Sequence, residues 1–124
     1  MKVAVVGCRN GVADIDAHMI SGVSEIVSGG ARGIDTQAAR WADAHGIKKT
    51  IFRPDYDTHG RRAPLVRNQQ IAEYADVMLA FWDGRSSGTA HAISCARRLG
   101  KKVIIVPVAG IPRKDPAQPT LFDK

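Results

Sequence analysis

The amino-acid sequence predicts an α/β fold in which a parallel sheet is covered by helices on both faces. Three observations carry this. Short β-branched runs alternate with segments whose apolar residues recur at helical spacing, the pattern of successive strand-helix-strand units. The strand runs, such as Val3-Ala4-Val5-Val6 and Val77-Met78-Leu79-Ala80-Phe81, are apolar throughout, as strands buried on both faces must be. Glycine and small polar residues collect where a strand gives way to a helix.

Taken in order, Lys2 to Val6 is the first strand, closed by Gly7. Ile15, Met19 and Ile20 mark a short helix with Asp14 or Asp16 near its start, and Glu25 to Val27 is a brief second strand running into Ser28-Gly29-Gly30. From Ile34 to about His45, the residues Ile34, Ala38, Trp41 and Ala42 share a helical face, and Gly46 supplies the stop. Thr50 to Phe52 is the third strand. Arg53 to Pro64, with two prolines, a glycine and many polar groups, reads as a long loop of the kind that carries function. Leu65 to Tyr74 is a helix, Val77 to Trp82 the fourth strand and Asp83 to Gly88 a second glycine loop. Thr89 to Leu99 is a helix stopped by Gly100, and Val103 to Val106 is the fifth strand. Right-handed crossovers then give a Rossmann-like three-layer sandwich over residues 1–106, with a five-stranded parallel sheet. Residues 107–124 hold four of the six prolines and read as an extended tail. Ligands of such folds bind outside the carboxyl ends of the strands, so four loops, Gly7–Asn10, Ser28–Gly33, Arg53–Pro64 and Asp83–Gly88, are expected to converge on one crevice.

Length and composition fit this. A chain of 124 residues, 44% hydrophobic and 24% charged, suits one ordinary globular core and excludes coiled-coil, collagen-like and disordered classes. No apolar run approaches the roughly 20 residues of a membrane helix, and the expectation is a cytoplasmic protein without signal peptide or span. Cys8 and Cys95 stand far apart and outside metal-ligand spacing, as two reduced thiols would; neither a metal nor a cofactor is expected. Eighteen Lys and Arg against 12 Asp and Glu give a net charge of +6, which attracts nucleotide, nucleic acid or anionic lipid alike. Several of the arginines fall in loops beside glycines.

Ser28 to Asp35 joins a strand to a helix, and Gly29, Gly30 and Gly33 let backbone N–H groups approach a phosphate at a helix N-terminus. The same residues would also build a tight turn without a ligand. The device recurs at Ser86-Ser87-Gly88-Thr89, which offers hydroxyls and free N–H groups, although Thr89 also suits a helix cap. Neither stretch is a Walker A loop or the dinucleotide fingerprint. Gly7, Arg9, Arg32 and Arg67 complete the expected anion site, the arginines by neutralising charge. His59 and His91 sit near the loops and are expected to approach the crevice; Trp82, and more weakly Tyr56, would stack a base, whereas Trp41 reads as core.

Gly29-Gly30-Ala31-Arg32-Gly33-Ile34-Asp35, Asp57-x-His59-Gly60, Arg67-Asn68 and Trp82-Asp83-Gly84-x-Ser86-x-Gly88-Thr89 resemble, in order, the motifs of the YspA-type, cpYpsA-related branch of the SLOG superfamily. The resemblance covers residues 2 to about 106. It implies a nucleotide-binding Rossmann-like domain, related to the LONELY GUY phosphoribohydrolases and more distantly to DNA-processing protein A. The hydrolases use an arginine, to which Arg67 is most similar, and a glutamate after Gly-Thr; here Ala90, His91 and Ala92 follow Gly88-Thr89, so that glutamate is missing. Asp35, Asp57 and Asp83 are left as replacements, with Arg67, Asp83 and Asp35 the catalytic candidates if the N-glycosidic bond of a nucleoside 5′-monophosphate is cut; each aspartate could equally cap a helix or hold an arginine. The leading expectation is a domain that binds a nucleotide-derived small molecule, with pairing of two chains unsurprising. The alternative is a nucleic-acid binder. Gln118-Pro119-Thr120-Leu121-Phe122 further resembles the short peptide with which bacterial proteins dock on the replication sliding clamp.

Overall fold

The computed structural model describes residues 1–108; the segment 109–124, with the Gln118–Phe122 peptide, lies outside the described residues. The chain runs β1 (Lys2–Gly7), α1 (Ile15–His18), β2 (Glu25–Ser28), α2 (Ile34–Ala44), β3 (Lys48–Ile51), α3 (Tyr56–His59), a 3-10 turn (Gly60–Arg62), α4 (Ala63–Tyr74), β4 (Val77–Trp82), α5 (Ser87–Arg98) and β5 (Lys102–Pro107). All five strands are parallel, in the order β3-β2-β1-β4-β5. This is the Rossmann-like three-layer sandwich. The order reverses between β1 and β4, which fixes the carboxyl edge of those strands as the place for a crevice.

Alternation along the strands divides the core in two. Val3 and Val5 of β1, with Ile26, Leu79 and Phe81, face α2 through Ile34, Ala38 and Ala42. Ala4 and Val6 point the other way and join Val27, Met78 and Ala80 against α4 and α5. The second face is rich in alanine: Ala4, Ala72, Ala80, Ala92 and Ala96 are all buried there. Small side chains on both surfaces let two helices lie close to the sheet and to each other. At the far end of α4, the Lys101 ammonium donates to the carbonyls of Ala72, Glu73 and Ala75, capping carbonyls that the helix leaves unpaired.

Two stretches differ from the sequence expectation. The third strand begins at Lys48 rather than Thr50, because its extent is set by pairing with Glu25 to Ser28 and not by apolarity. As an edge strand it carries Lys48 and Lys49, exposed, which also blunts edge-to-edge pairing. The Arg53–Pro64 segment is no irregular loop. Asp55 accepts from the Thr58 amide (3.1 Å) and starts α3, and α4 begins at Ala63 with Pro64 in its first turn, where a missing N–H costs nothing. No helix among the described residues is long and apolar enough to cross a membrane.

Candidate functional site: an arginine-lined cleft

The loops that follow β1 and β2 are locked together by glycines. Gly33 has φ +77° and ψ −121°, a conformation open in practice only to glycine, and a Cβ there would overlap the backbone carbonyl of Arg9. Gly7 lies against Ile34, so that a Cβ there would press to 2.5 Å from Cγ1. Both glycines therefore serve loop packing, and neither faces the cleft described below.

Asp35, in the first turn of α2, is only 7% exposed. Its Oδ2 accepts from the amides of Gly29 (3.2 Å) and Ala31 (3.1 Å). Burial pushes its carboxyl pKa up, opposed by the Ala31 amide, the Arg67 charge, the Gly29 amide and the Arg9 charge. Two of the amides expected to meet a phosphate are thus already occupied by the chain's own carboxylate.

Guanidinium groups occupy the space in front of this turn. Arg67 of α4 donates through Nη1 to the Gly29 carbonyl (2.7 Å) and through Nε to Asn68 Oδ1 (3.0 Å). Burial lowers its pKa, while Asp35 and Tyr56 raise it and Arg9 lowers it further. Arg53, just after β3, reaches the Gly30 carbonyl (3.5 Å). With Arg9, Arg32, Pro54, Tyr56 and the Gly29–Ala31 backbone, they line a cleft of about 370 Å³. Among the described residues, its lining holds four arginines and no acidic side chain. Tyr56 is 57% exposed, its ring free to pack on a flat group.

The loop after β4 is built differently. Asp83 Oδ1 accepts from the amides of Arg85 and Ser86, both at 2.8 Å, and these bonds hold its pKa below the usual carboxylate value. Trp82 donates its indole N–H to the Ser86 carbonyl (3.0 Å) and lines a separate groove with Ala90, Ile93, Ser94, Arg97 and Arg98. Ser86 and Thr89 bring their hydroxyls to 3.3 Å of each other at the start of α5, and the space beside Gly88 is open. Asn68 links this side to the arginine cleft. Asn68 is buried, and its Nδ2 donates to the Gly88 carbonyl (3.3 Å) and faces His91 Nδ1 at 3.1 Å. That match needs a neutral imidazole, in keeping with the downward pKa shift that burial and Arg98 impose on His91.

Of the residues singled out from sequence, the structure brings Arg9, Gly29, Gly30, Arg32, Tyr56 and Arg67 into one cleft. It places Asp35 behind them, Gly33 and Gly7 beneath them, and Asn68 on the side toward α5. His59 is exposed at the end of α3, and Trp82, Asp83, Ser86, Ser87, Gly88 and Thr89 belong to the β4 side. Three loops and α4 form the cleft in place of the four loops expected. Arg53 is the member that sequence reasoning left out of the binding set. The signal was its position, directly after the third strand on the carboxyl edge.

An arginine cleft on the carboxyl edge of a parallel sheet in this strand order defines a Rossmann-like domain with a cationic cleft. The chain belongs to the YspA, cpYpsA-related SLOG family, whose model matches residues 1–59. That stretch includes Arg9, Arg32, Arg53 and Tyr56. The Gene 61 protein of Mycobacterium phage D29 is 40% identical over 85 residues, covering 64% of this chain and 68% of the phage protein. A putative DNA processing protein DprA of Mycobacterium tuberculosis is 31% identical over 140 residues, which is 84% of this chain but 36% of that protein. The chain therefore spans about a third of the latter's length. No solved structure matches it. Family and kinship place the chain, in general terms, among proteins of nucleotide- or nucleic-acid-related function.

Proposed function

We propose that the arginine cleft binds a nucleotide or nucleotide-derived small molecule, with phosphate oxygens on Arg9, Arg32, Arg53 and Arg67 and a ring against Tyr56. The observation that carries this is the convergence of four guanidinium groups and an exposed aromatic ring on one 370 Å³ cleft with no acidic lining. Guanidinium forks match phosphate oxygens in geometry as well as charge, and the cleft volume lies within the usual range for small-molecule sites. Isothermal titration with a panel of nucleoside phosphates should show binding that Arg32→Ala and Arg67→Ala weaken. Failure of every nucleotide to bind refutes the proposal.

Hydrolysis of an N-glycosidic bond belongs to the same reading as a further step. Asp35 and Asp83 are the carboxylate candidates for that step, and both are engaged by backbone amides. Incubation with nucleoside 5′-monophosphates and chromatography for free base tests it. Release of base that Asp35→Asn and Asp83→Asn both leave intact would exclude them as the catalytic groups.

A second reading, binding of nucleic acid, is favoured by the similarity to the putative DprA protein and by the net charge of +6. Its affinity for oligonucleotides would fall steeply with salt, roughly as the number of phosphates neutralised, and a gel-shift series over salt concentration separates it from the first. Docking on the sliding clamp through Gln118–Phe122 is tested by pull-down of the chain lacking residues 118–124, and pairing of two chains by sedimentation.

A further inference from the structure

Charge counting within the cleft narrows the ligand further, on the footing that the nucleotide reading above holds. Four cationic side chains are answered by at most one carboxylate, Asp35, which is turned away onto the Gly29 and Ala31 amides. A single phosphate carries about 1.5 to 2 negative charges and three strong acceptor oxygens. Among the described residues the side chains of Arg9 and Arg32 make no hydrogen bond or ion pair. Each guanidinium presents five N–H donors, and only three of the twenty in the cleft are engaged, two on Arg67 and one on Arg53. One phosphate would leave much of this donor array and charge unanswered.

The placement of two guanidinium groups also has a direction. Arg67 is anchored on the Gly29 carbonyl and Arg53 on the next one, that of Gly30. Gly30, at φ +71°, has no Cβ, and one built there would come within 2.8 Å of Arg53 Nη1. Two guanidinium groups are thus held by consecutive residues of one turn and line the same cleft, and a ligand with two linked phosphates offers each of them acceptor oxygens of its own.

We infer that the ligand carries two directly linked phosphates, one on the Arg67 side and one on the Arg53 side of the glycine turn. This pyrophosphate group is shared by nucleoside diphosphates and by nucleoside diphosphate diesters of sugars. The test is isothermal titration of the full chain with inorganic phosphate, inorganic pyrophosphate, adenosine mono- and diphosphate, an adenosine diphosphate sugar and a short oligodeoxynucleotide. Pyrophosphate should bind at least about tenfold more tightly than phosphate, as one more charge-assisted contact gives. In Arg53→Gln that advantage should collapse to less than about threefold, with the far-ultraviolet circular dichroism spectrum unchanged. Tight binding of the diphosphate sugar assigns a bridging pyrophosphate, and its rejection in favour of the diphosphate assigns a terminal one. Equal affinity for phosphate and pyrophosphate, with adenosine monophosphate still bound, overturns the inference and leaves the nucleotide reading standing. Loss of all small-anion binding overturns both, and oligonucleotide binding tighter than pyrophosphate assigns the cleft to nucleic acid.

Discussion

Gly29→Ala separates the arginine anchor from the fold that carries it. The backbone at Gly29 is not in the positive-φ region, so alanine meets no conformational strain there. A Cβ at this position would instead overlap the Arg67 guanidinium, 2.8 Å from Cζ, and stand 3.1 Å from Asp35 Oδ2. The guanidinium is the end of a flexible side chain and gives way, losing its 2.7 Å bond to the Gly29 carbonyl. A hydrogen bond to a charged group contributes about 1.5–3 kcal/mol, and the reduced freedom of the unfolded chain returns about 0.4–1 kcal/mol. The net loss is about 1–2 kcal/mol, a fall in Tm of roughly 4–10 °C for a domain of this size. Affinity for phosphate-bearing ligands should fall by about tenfold or more, since one guanidinium leaves its position. Thermal unfolding followed by circular dichroism and anion titration by calorimetry read the two effects. Gly88→Ala is the control, because the space beside Gly88 is open and the first turn of a helix accepts alanine. If Gly29→Ala melted with the wild type and bound anions as tightly, the Arg67 anchor would not exist and the cleft would have to be redrawn.

Gly33→Ala combines a glycine-only backbone conformation with overlap on the Arg9 carbonyl, and should cost about 2–4 kcal/mol in denaturant unfolding. Lys101→Met removes the cation that caps three carbonyls at the end of α4; chemical denaturation should show a loss of about 1–2 kcal/mol. Glu25 accepts from the Thr50 hydroxyl and the Tyr74 hydroxyl, each at 2.6 Å, and these bonds hold its pKa below the ordinary value. The stability it contributes is therefore present above about pH 4.3 and lost as pH falls through its lower folded value; the gap between wild type and Glu25→Gln should close on acidification. Asp35 has the opposite sign. Its folded pKa is raised, so its contribution to stability declines as pH rises from about 3.9 through the folded value. Asp35→Asn keeps an oxygen for the Gly29 and Ala31 amides and removes that decline, so its stability relative to wild type should improve with rising pH, and anion affinity should rise severalfold.

The parallel strands were legible in the sequence because burial on both faces leaves uninterrupted apolar runs, as at Val77 to Trp82, whose bounds agree with β4. Where burial is weak, the text gives less. The edge strand Lys48–Ile51 announces itself only through its partner, and α3 depends on the local cap of Asp55. For the cleft, Arg9 and Arg32 could be read from their glycine neighbours, and Arg67 from the Arg67-Asn68 motif that resembles the family's. The direction of Trp82 could not, since a residue at a strand end points to either face according to the pleat, and Trp82 takes the α5 side with Val103 and Ile105. Nor could the role of Asp35 be read from spacing alone. An acidic residue in a helix first turn looks like a dipole partner or a catalytic group, and only the fold shows that its oxygen turns back onto the loop.

That turn of Asp35 bears on how the site recognises anions. A glycine loop before a helix is an anion site because its amides are unfilled; here a carboxylate fills those of Gly29 and Ala31 from within. The carboxylate ties the loop to α2, and the loop's Gly29 and Gly30 carbonyls hold arginines. On the proposed reading, an anion would therefore meet guanidinium groups, which are longer, charged and adjustable, in place of backbone N–H groups. The same helix that supplies Arg67 supplies Asn68, set about 100° further around the axis and bonded to Arg67 on one side and to the Gly88 carbonyl on the other. Arg67 and Asn68 thus join the Gly29 carbonyl to the Gly88 carbonyl in one run of hydrogen bonds, so that a single pair of adjacent residues ties the glycine turn after β2 to the start of α5.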